Sequence, residues 1–136
     1  MHFACHGCDE KDAPLFSRLM LTDRPLFNFE IPFSSFSPNI VFMNACCTAS
    51  GKMSAGGYLQ TMASSFLQNG TKYVIATLWQ VDDYCAIIFM EAFYKSLLVG
   101  ANPLDALNDA RLKLYNDPLS NKPFFWAPYV LYSSFV

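Results

Sequence analysis

Two short apolar runs, at residues 40–43 and 73–78, the second broken only by Thr77, limit most strongly what this chain can fold into. A strand with one face in water alternates polar and apolar side chains, whereas a continuous apolar run is typical of a strand buried on both faces. After each run comes a segment whose apolar residues recur at helical spacing. This alternation predicts an α/β fold, with a largely parallel sheet that is flanked by helices.

Three helices are predicted from apolar spacing and from the residues that start and stop helices. The first covers residues 54–69, where the apolar positions form one stripe. The second takes Asp82 or Asp83 as its N-cap and stops at Gly100. The third begins at Asn102, which is followed by a proline at the first helical position.

The remaining segments supply two further strands and a long loop. Residues 2–5 and 129–132 predict the first and the last strand of the sheet. Residues 9–38 are rich in proline and serine, which is typical of a loop. Within it, apolar residues 19–21 and 26–29 flank a turn, and this arrangement predicts a short hairpin.

A histidine and a cysteine follow two of the predicted strands, at the end where parallel sheets collect their ligands. His6 follows the first strand, and Cys46 follows the second, 40 positions later. Adjacent strands lie about 5 Å apart, so on neighbouring strands both side chains would face one substrate. A thiolate can then attack a carbonyl while the imidazole protonates the departing amine. The N–H groups of Gly7 and Cys46 are candidate donors to the oxyanion.

Composition and charge limit the partners of this 136-residue, single-domain chain. It is 53% hydrophobic and 15% charged, against roughly 25% charged residues in an average domain. This apolar surplus predicts either the core of a larger unit or a partner interface. A net charge of −2 favours neither nucleic acid nor an anionic membrane. No apolar run approaches the roughly 20 residues of a membrane span. Five cysteines, two of them adjacent, fit free thiols in a reducing, cytoplasmic location.

Several segments carry recognisable motifs in a fixed order. Residues 2–7 read HFACHG, residues 42–48 read FMNACCT, residues 76–83 read ATLWQVDD and residues 126–131 read WAPYVL. In this order they resemble the histidine motif, the cysteine motif, the Leu-Trp-x-Val-x-Asp segment and the closing strand of CHAT domains. CHAT domains are caspase-like peptidases that often follow tetratricopeptide repeats. The resemblance extends over nearly the whole chain, so we expect residues 1–136 to be the C-terminal portion of a CHAT (caspase-like) domain, the portion that carries the histidine and cysteine motifs.

The resemblance implies a cysteine endopeptidase with His6 and Cys46 as its catalytic dyad. Such an enzyme would cleave protein or peptide substrates through a thioester acyl-enzyme, without a metal ion or an organic cofactor. A regulatory protein, or an N-terminal repeat domain in a longer parent, is the implied partner. The chain departs from the family pattern in lacking the leading strands, in Asn44 where serine is usual, and in Cys47 at an often acidic position.

The cysteines also permit a metal or redox interpretation. Cys5 and Cys8 form a C-x-x-C pair, which can be half of a zinc site or a redox motif. Zinc would need two more ligands, and the adjacent Cys46 and Cys47 are the available pair. Adjacent cysteines chelate one tetrahedral ion poorly, and no helical pattern follows Cys8, so we favour the peptidase interpretation.

Two further alternatives concern the acidic pair and the function as a whole. Asp82 and Asp83 lie at the rim of the sheet, where a carboxylate would bind an arginine or lysine of the substrate. The structural alternative makes them a helix N-cap and a first-turn acid. For the whole chain, the alternative to an enzyme is a catalytically inactive CHAT-type interaction or scaffolding module.

Overall fold

A computed structural model describes residues 1–44, 52–53 and 59–134 of the chain. The helices and strands follow one another in the order β1 (His2–Phe3), β2 (Gly7–Cys8), β3 (Arg18–Met20), β4 (Pro25–Phe27), β5 (Ile40–Met43), β6 (Lys52–Met53), β7 (Leu59–Gln60), α1 (Met62–Gln68), β8 (Tyr73–Thr77), α2 (Asp83–Leu98), α3 (Pro103–Tyr115), α4 (Pro123–Trp126) and β9 (Tyr129–Ser133). Two 3₁₀ helices, Pro14–Phe16 and Asn28–Phe33, flank the β3–β4 hairpin.

Among the described residues, the central sheet has four strands in the order β1-β5-β8-β9. β1 pairs with β5, and β5 pairs with β8, in parallel, while β9 runs antiparallel to β8. The sequence prediction of an α/β fold with a largely parallel sheet is therefore confirmed. β6 and β7 form a separate two-stranded antiparallel pair.

The two faces of the central sheet pack against different layers. Successive side chains of a strand point to opposite faces, so Val41 and Met43 share one core cluster while Phe42 belongs to the other. The first cluster also holds buried residues from α1, the hairpin and the 3₁₀ helix after it, namely Leu19, Leu26, Ile31, Met62, Ala63 and Phe66. The second holds buried residues from α2 and α3, namely Cys85, Phe89, Phe93, Ala106, Leu107, Ala110 and Leu114. Both faces are thus covered by other elements, which explains why the strands are apolar throughout.

The first helix starts later than its apolar stripe predicts. α1 begins at Met62, after Thr61, and the N–H of Ser64 donates to the Thr61 hydroxyl at 3.0 Å. The Ser64 hydroxyl in turn accepts from the N–H of Thr61 at 3.0 Å. This reciprocal capping box fixes the start of the helix at Thr61 and not at residue 54.

The predicted hairpin is present and belongs to a small sheet of three antiparallel strands. β3 pairs with β4, and β2 adds to the other side of β3, giving the order β2-β3-β4. Leu19 and Leu26 lie opposite each other and are buried in the core. The chain therefore leaves the central sheet after Phe3 and enters the small sheet at Gly7.

Candidate active site

The strands that precede His6 and Cys46 are neighbours in the central sheet. β1 and β5 are parallel, with His2 opposite Phe42 and Phe3 opposite Met43. The N–H of Asn44 donates to the carbonyl of Phe3 at 2.9 Å, which continues the pairing to the end of β5. The adjacency on which the dyad hypothesis depends is therefore present. Cys46 itself, like Cys47, lies outside the described residues.

A cleft of about 380 Å³ opens at the carboxyl ends of β1, β5 and β8. Its described lining comes from the segments that follow these three strands, namely Ala4, Cys5, His6, Asn44, Thr77, Gln80, Val81 and Asp83. His6 is exposed, so its imidazole is accessible to a ligand in the cleft. Asn44, Gln80 and Val81 also line the cleft; they lie at the strand ends where the sequence predicts the site, although no signal in the sequence indicates a specific role for them.

His6 lies at the junction of the two sheets. It lines the cleft, and its backbone carbonyl accepts a hydrogen bond from the N–H of Met20 in β3 at 2.8 Å. The next residue, Gly7, lies opposite Leu19. Hydrogen-bonded and non-hydrogen-bonded pairs alternate along an antiparallel ladder, and the bond between His6 and Met20 makes Gly7 and Leu19 a non-hydrogen-bonded pair. The N–H of Gly7 is therefore directed away from β3.

The two adjacent carboxylates have different surroundings. Asp82 is the N-cap of α2, and one of its oxygens accepts from the N–H groups of Tyr84 at 3.0 Å and Cys85 at 3.2 Å. Asp83 lies in the first turn of α2 and lines the cleft together with His6. The structure therefore brings Asp83 to the same cleft as His6, and it gives Asp82 a capping role.

Trp79 packs beside the strand end. Its indole N–H donates to the carbonyl of Phe124 at 3.0 Å, and its ring stacks on the ring of Phe124 with the centroids 6.0 Å apart. The N–H of Leu78 donates to the carbonyl of Pro128 at 3.0 Å. These contacts attach the segment after β8 to the α4 region and so fix the backbone that leads to Asp83.

The described cysteines differ in burial. Cys5 and Cys8 are half-buried free thiols, and burial raises the pKa of Cys5, an effect that a backbone hydrogen bond from Met20 partly offsets. Cys85 is buried in the core, and burial raises its pKa to about 11. Over residues 1–44, 52–53 and 59–134, no group of three or more His, Cys, Asp or Glu residues is arranged to hold a metal ion.

His2 forms a second polar contact that was not predicted from the sequence. Its Nδ1 lies 2.9 Å from the hydroxyl of Tyr94 in α2, and its ring lies 4.9 Å from that of Phe42, between centroids. Burial lowers the pKa of His2 and raises that of Tyr94. His2 therefore packs β1 onto α2, away from the cleft that His6 lines.

Within the described ranges, no helix combines the length and the apolar character that crossing a membrane requires.

Comparisons with known proteins agree with this fold. The chain is 27% identical over 131 residues to Tetratricopeptide repeat protein 28 of Homo sapiens, and 29% identical over 123 residues to the protein of that name from Mus musculus. These alignments cover 96% and 90% of this chain but 5% of each relative, so the chain spans a small part of their length. The model of the CHAT domain family matches residues 1–134, and the chain belongs to the CHAT domain family.

Proposed function

We propose that this chain is a caspase-like cysteine endopeptidase in which His6 and Cys46 form the catalytic dyad. The observation that carries the proposal is the register of β1 and β5 in the central sheet. β1 and β5 pair residues that are 40 positions apart, as in His2 with Phe42. The same number of positions separates His6 from Cys46. Each of the two residues follows the end of its strand by three positions, which favours side chains that face one cleft.

In the proposed reaction, the thiolate of Cys46 attacks the scissile carbonyl and forms a carbon–sulfur bond. The carbon–nitrogen bond then breaks, and the imidazolium of His6 gives its proton to the departing amine. Water next attacks the thioester, His6 takes a proton from it, and the thiolate leaves. The N–H of Gly7, directed away from β3, is a suitable donor to the oxyanion of both tetrahedral intermediates.

Asp83 is the proposed substrate-binding carboxylate. It lines the cleft with His6 and Asn44, and a carboxylate at this place favours a substrate with arginine or lysine before the scissile bond. Asp82, which the sequence suggests equally, is engaged at the start of α2. We therefore assign the binding role to Asp83 and an indirect, positioning role to Asp82.

A regulatory partner is part of the proposal. The two relatives are named as tetratricopeptide repeat proteins, so we propose that a repeat domain or another regulatory protein controls this domain. A reducing, cytoplasmic location would keep Cys46 in its reactive thiol form.

A catalytically inactive scaffolding module is the second candidate. The observation that favours it is the exposure of large apolar side chains, among them Leu98 and Val99 at 86% each and Phe33 at 90%. Exposed apolar residues mark interaction sites where they lie together, as the neighbours Leu98 and Val99 do. A scaffold would need such a surface but would not need a reactive thiol at Cys46.

Thiol alkylation distinguishes the two candidates. The folded chain is treated with iodoacetamide between pH 5 and pH 9, and peptide mass spectrometry gives the labelling rate of each cysteine. We expect Cys46 to label fastest, with an apparent pKa below the ordinary value of about 8.5, and to slow when His6 is replaced by alanine. His2→Gln, which removes the other histidine, is the matched control and should leave the rate unchanged. If Cys46 labels no faster than Cys8 in every variant, the scaffold is the better account.

A further inference from the structure

The small sheet of β2, β3 and β4 turns one face to the core and the other to solvent. Leu19 and Leu26 are buried in the core, and Met20 and Pro25 form the next pair along the same two strands. Because side chains alternate along a strand, this next pair lies on the opposite side. Met20 is 43% exposed, and this side is the outer face of the small sheet.

Aromatic rings extend the outer face away from Met20. Phe27 belongs to it because it lies opposite Arg18, one pair beyond the buried leucines. The ring of Phe27 stacks on that of Phe29 with the centroids 5.5 Å apart, and Phe16 meets Phe29 edge-on at 5.8 Å. Phe29 and Phe16 are 42% and 55% exposed, so these rings add apolar surface to the outer face, on which the Arg18 guanidinium lies 5.8 Å from the centre of the Phe27 ring.

The outer face begins at the candidate catalytic histidine. The hydrogen bond from the N–H of Met20 to the carbonyl of His6 makes these residues directly opposite each other across β2 and β3. Residues directly opposite in an antiparallel pair place their side chains on the same face, with Cβ atoms about 5 Å apart. The apolar surface is therefore continuous with the cleft that His6 lines.

From this continuity we infer that the outer face binds the part of the protein substrate that follows the scissile bond, and that it selects apolar residues there. The inference rests on the proposed peptidase function. His6 donates its proton to the departing amine, so the departing segment must lie against His6 and continue beyond it. An extended chain advances about 3.3–3.6 Å per residue, and two strand spacings measure about 10 Å. Three residues after the scissile bond thus reach from His6 across Met20 to Pro25. Pro25 is paired with Met20 and lies on the same face of β4 as Phe27.

The test uses a peptide library made by digesting a cell lysate with a glutamate-specific protease and blocking its amines, so that arginine and apolar residues remain inside the peptides. The chain is added, and mass spectrometry of the new N-termini reports the three residues that follow each cut. Wild type, Met20→Ser and Phe29→Ser are compared, with Cys46→Ala to define the background. Leu98→Ser is the matched control, because Leu98 is an apolar residue at 86% exposure on another element.

The expected result is an enrichment of Phe, Leu, Met and Ile among the three residues after the cut. Met20→Ser and Phe29→Ser should each reduce cleavage of these peptides by about tenfold relative to peptides with polar residues there, whereas Leu98→Ser should not. Circular dichroism confirms that each variant is folded. Cuts that depend on Cys46 but show no apolar preference, or keep it in both variants, would overturn this inference and leave the peptidase function standing. An absence of cuts that depend on Cys46 would overturn the peptidase function, and the inference with it.

Discussion

The carboxylate of Asp82 accepts a hydrogen bond from the backbone N–H of Tyr84 at 3.0 Å. The same oxygen accepts from the N–H of Cys85 at 3.2 Å, so one side chain satisfies two of the backbone donors left free at the start of α2. We expect Asp82→Ala to lower the free energy of unfolding by about 1 kcal/mol, measured by urea denaturation. Asp83→Ala is the matched control and should cost less, because Asp83 does not cap the helix. An Asp82→Ala midpoint equal to that of wild type would contradict the capping role.

Asp83 should affect the choice of substrate, whereas Asp82 should affect the stability of the fold. For peptides with arginine before the scissile bond, Asp83→Asn should lower kcat/KM by on the order of tenfold, because a charge pair with the substrate is lost. Asp82→Asn keeps the helix cap while removing the neighbouring charge, so it should leave kcat/KM nearly unchanged. Steady-state cleavage of paired peptides with arginine or glutamine at that position measures the effect. Equal losses of kcat/KM in the two variants would mean that the summed negative charge of the two carboxylates, and not Asp83 in particular, attracts the substrate.

Glu30 should contribute to the pH dependence of stability. Its carboxylate accepts from the backbone N–H of Phe27 at 2.9 Å and from Arg24 at 2.8 Å, and these bonds hold its pKa below the ordinary value of 4.5. A lowered pKa in the folded state means that the unfolded chain binds the proton more readily. The contribution is therefore fully present above pH 4.5 and is lost as the pH falls through the lowered pKa.

The variant Glu30→Gln tests this prediction. It should be less stable than wild type at pH 7, and the difference should shrink as the pH is lowered from about 5 to 3. Thermal denaturation at a series of pH values gives the difference in stability at pH 7 and the way it changes with pH. Glu91→Gln is a control, since Glu91 forms an exposed pair with Lys95 at 3.6 Å. A difference that stays constant down to pH 3 would show that the Glu30 bonds do not depend on its charge.

Two glycines at helix ends have positive φ, and replacing either one by alanine should lower the free energy of unfolding by a similar amount. φ is 90° at Gly70 and 97° at Gly100. A side chain in this region costs about 1–2 kcal/mol, so both alanine variants should lose roughly that much stability. An added Cβ at Gly70 would lie 2.9 Å from the Ser37 hydroxyl, but this exposed hydroxyl can rotate away, while the space around Gly100 is open. Urea denaturation of Gly70→Ala in the Ser37→Ala background shows whether the hydroxyl adds to the cost.

Cys85 should be protected from alkylation until the chain unfolds. With a pKa of about 11, it is about 0.1% thiolate at pH 8, against roughly a quarter for an ordinary cysteine. Its burial in the core also blocks the reagent. Mass spectrometry after labelling in buffer and in urea should therefore show Cys85 modified in urea alone, with the half-buried Cys8 as the reference. Rapid labelling in buffer would show that α2 opens locally.

Much of the fold can be predicted from local sequence patterns. Residues 40–43 and 73–77 are buried strands, as their apolar runs predict, and Asn102 caps α3, as the proline that follows it indicates. The start of α1 could not be predicted from the apolar stripe over residues 54–69. An apolar stripe records which side of a segment is buried, whereas the hydrogen bonds between Thr61 and Ser64 decide where the helix begins.

The sequence by itself determined the family of this protein and its candidate catalytic residues, since His6 and Cys46 follow two apolar runs and the motifs around them are those of the CHAT family. The tertiary structure decided which of these residues share a surface. Strand order depends on backbone hydrogen bonds between distant residues, so β1 could be placed beside β5 only once the chain had folded. The same long-range pairing put Met20 opposite His6 and so joined an apolar sheet face to the cleft. The spacing of apolar residues is a local property of the sequence. For that reason it predicts where helices and strands form but not which of them lie side by side.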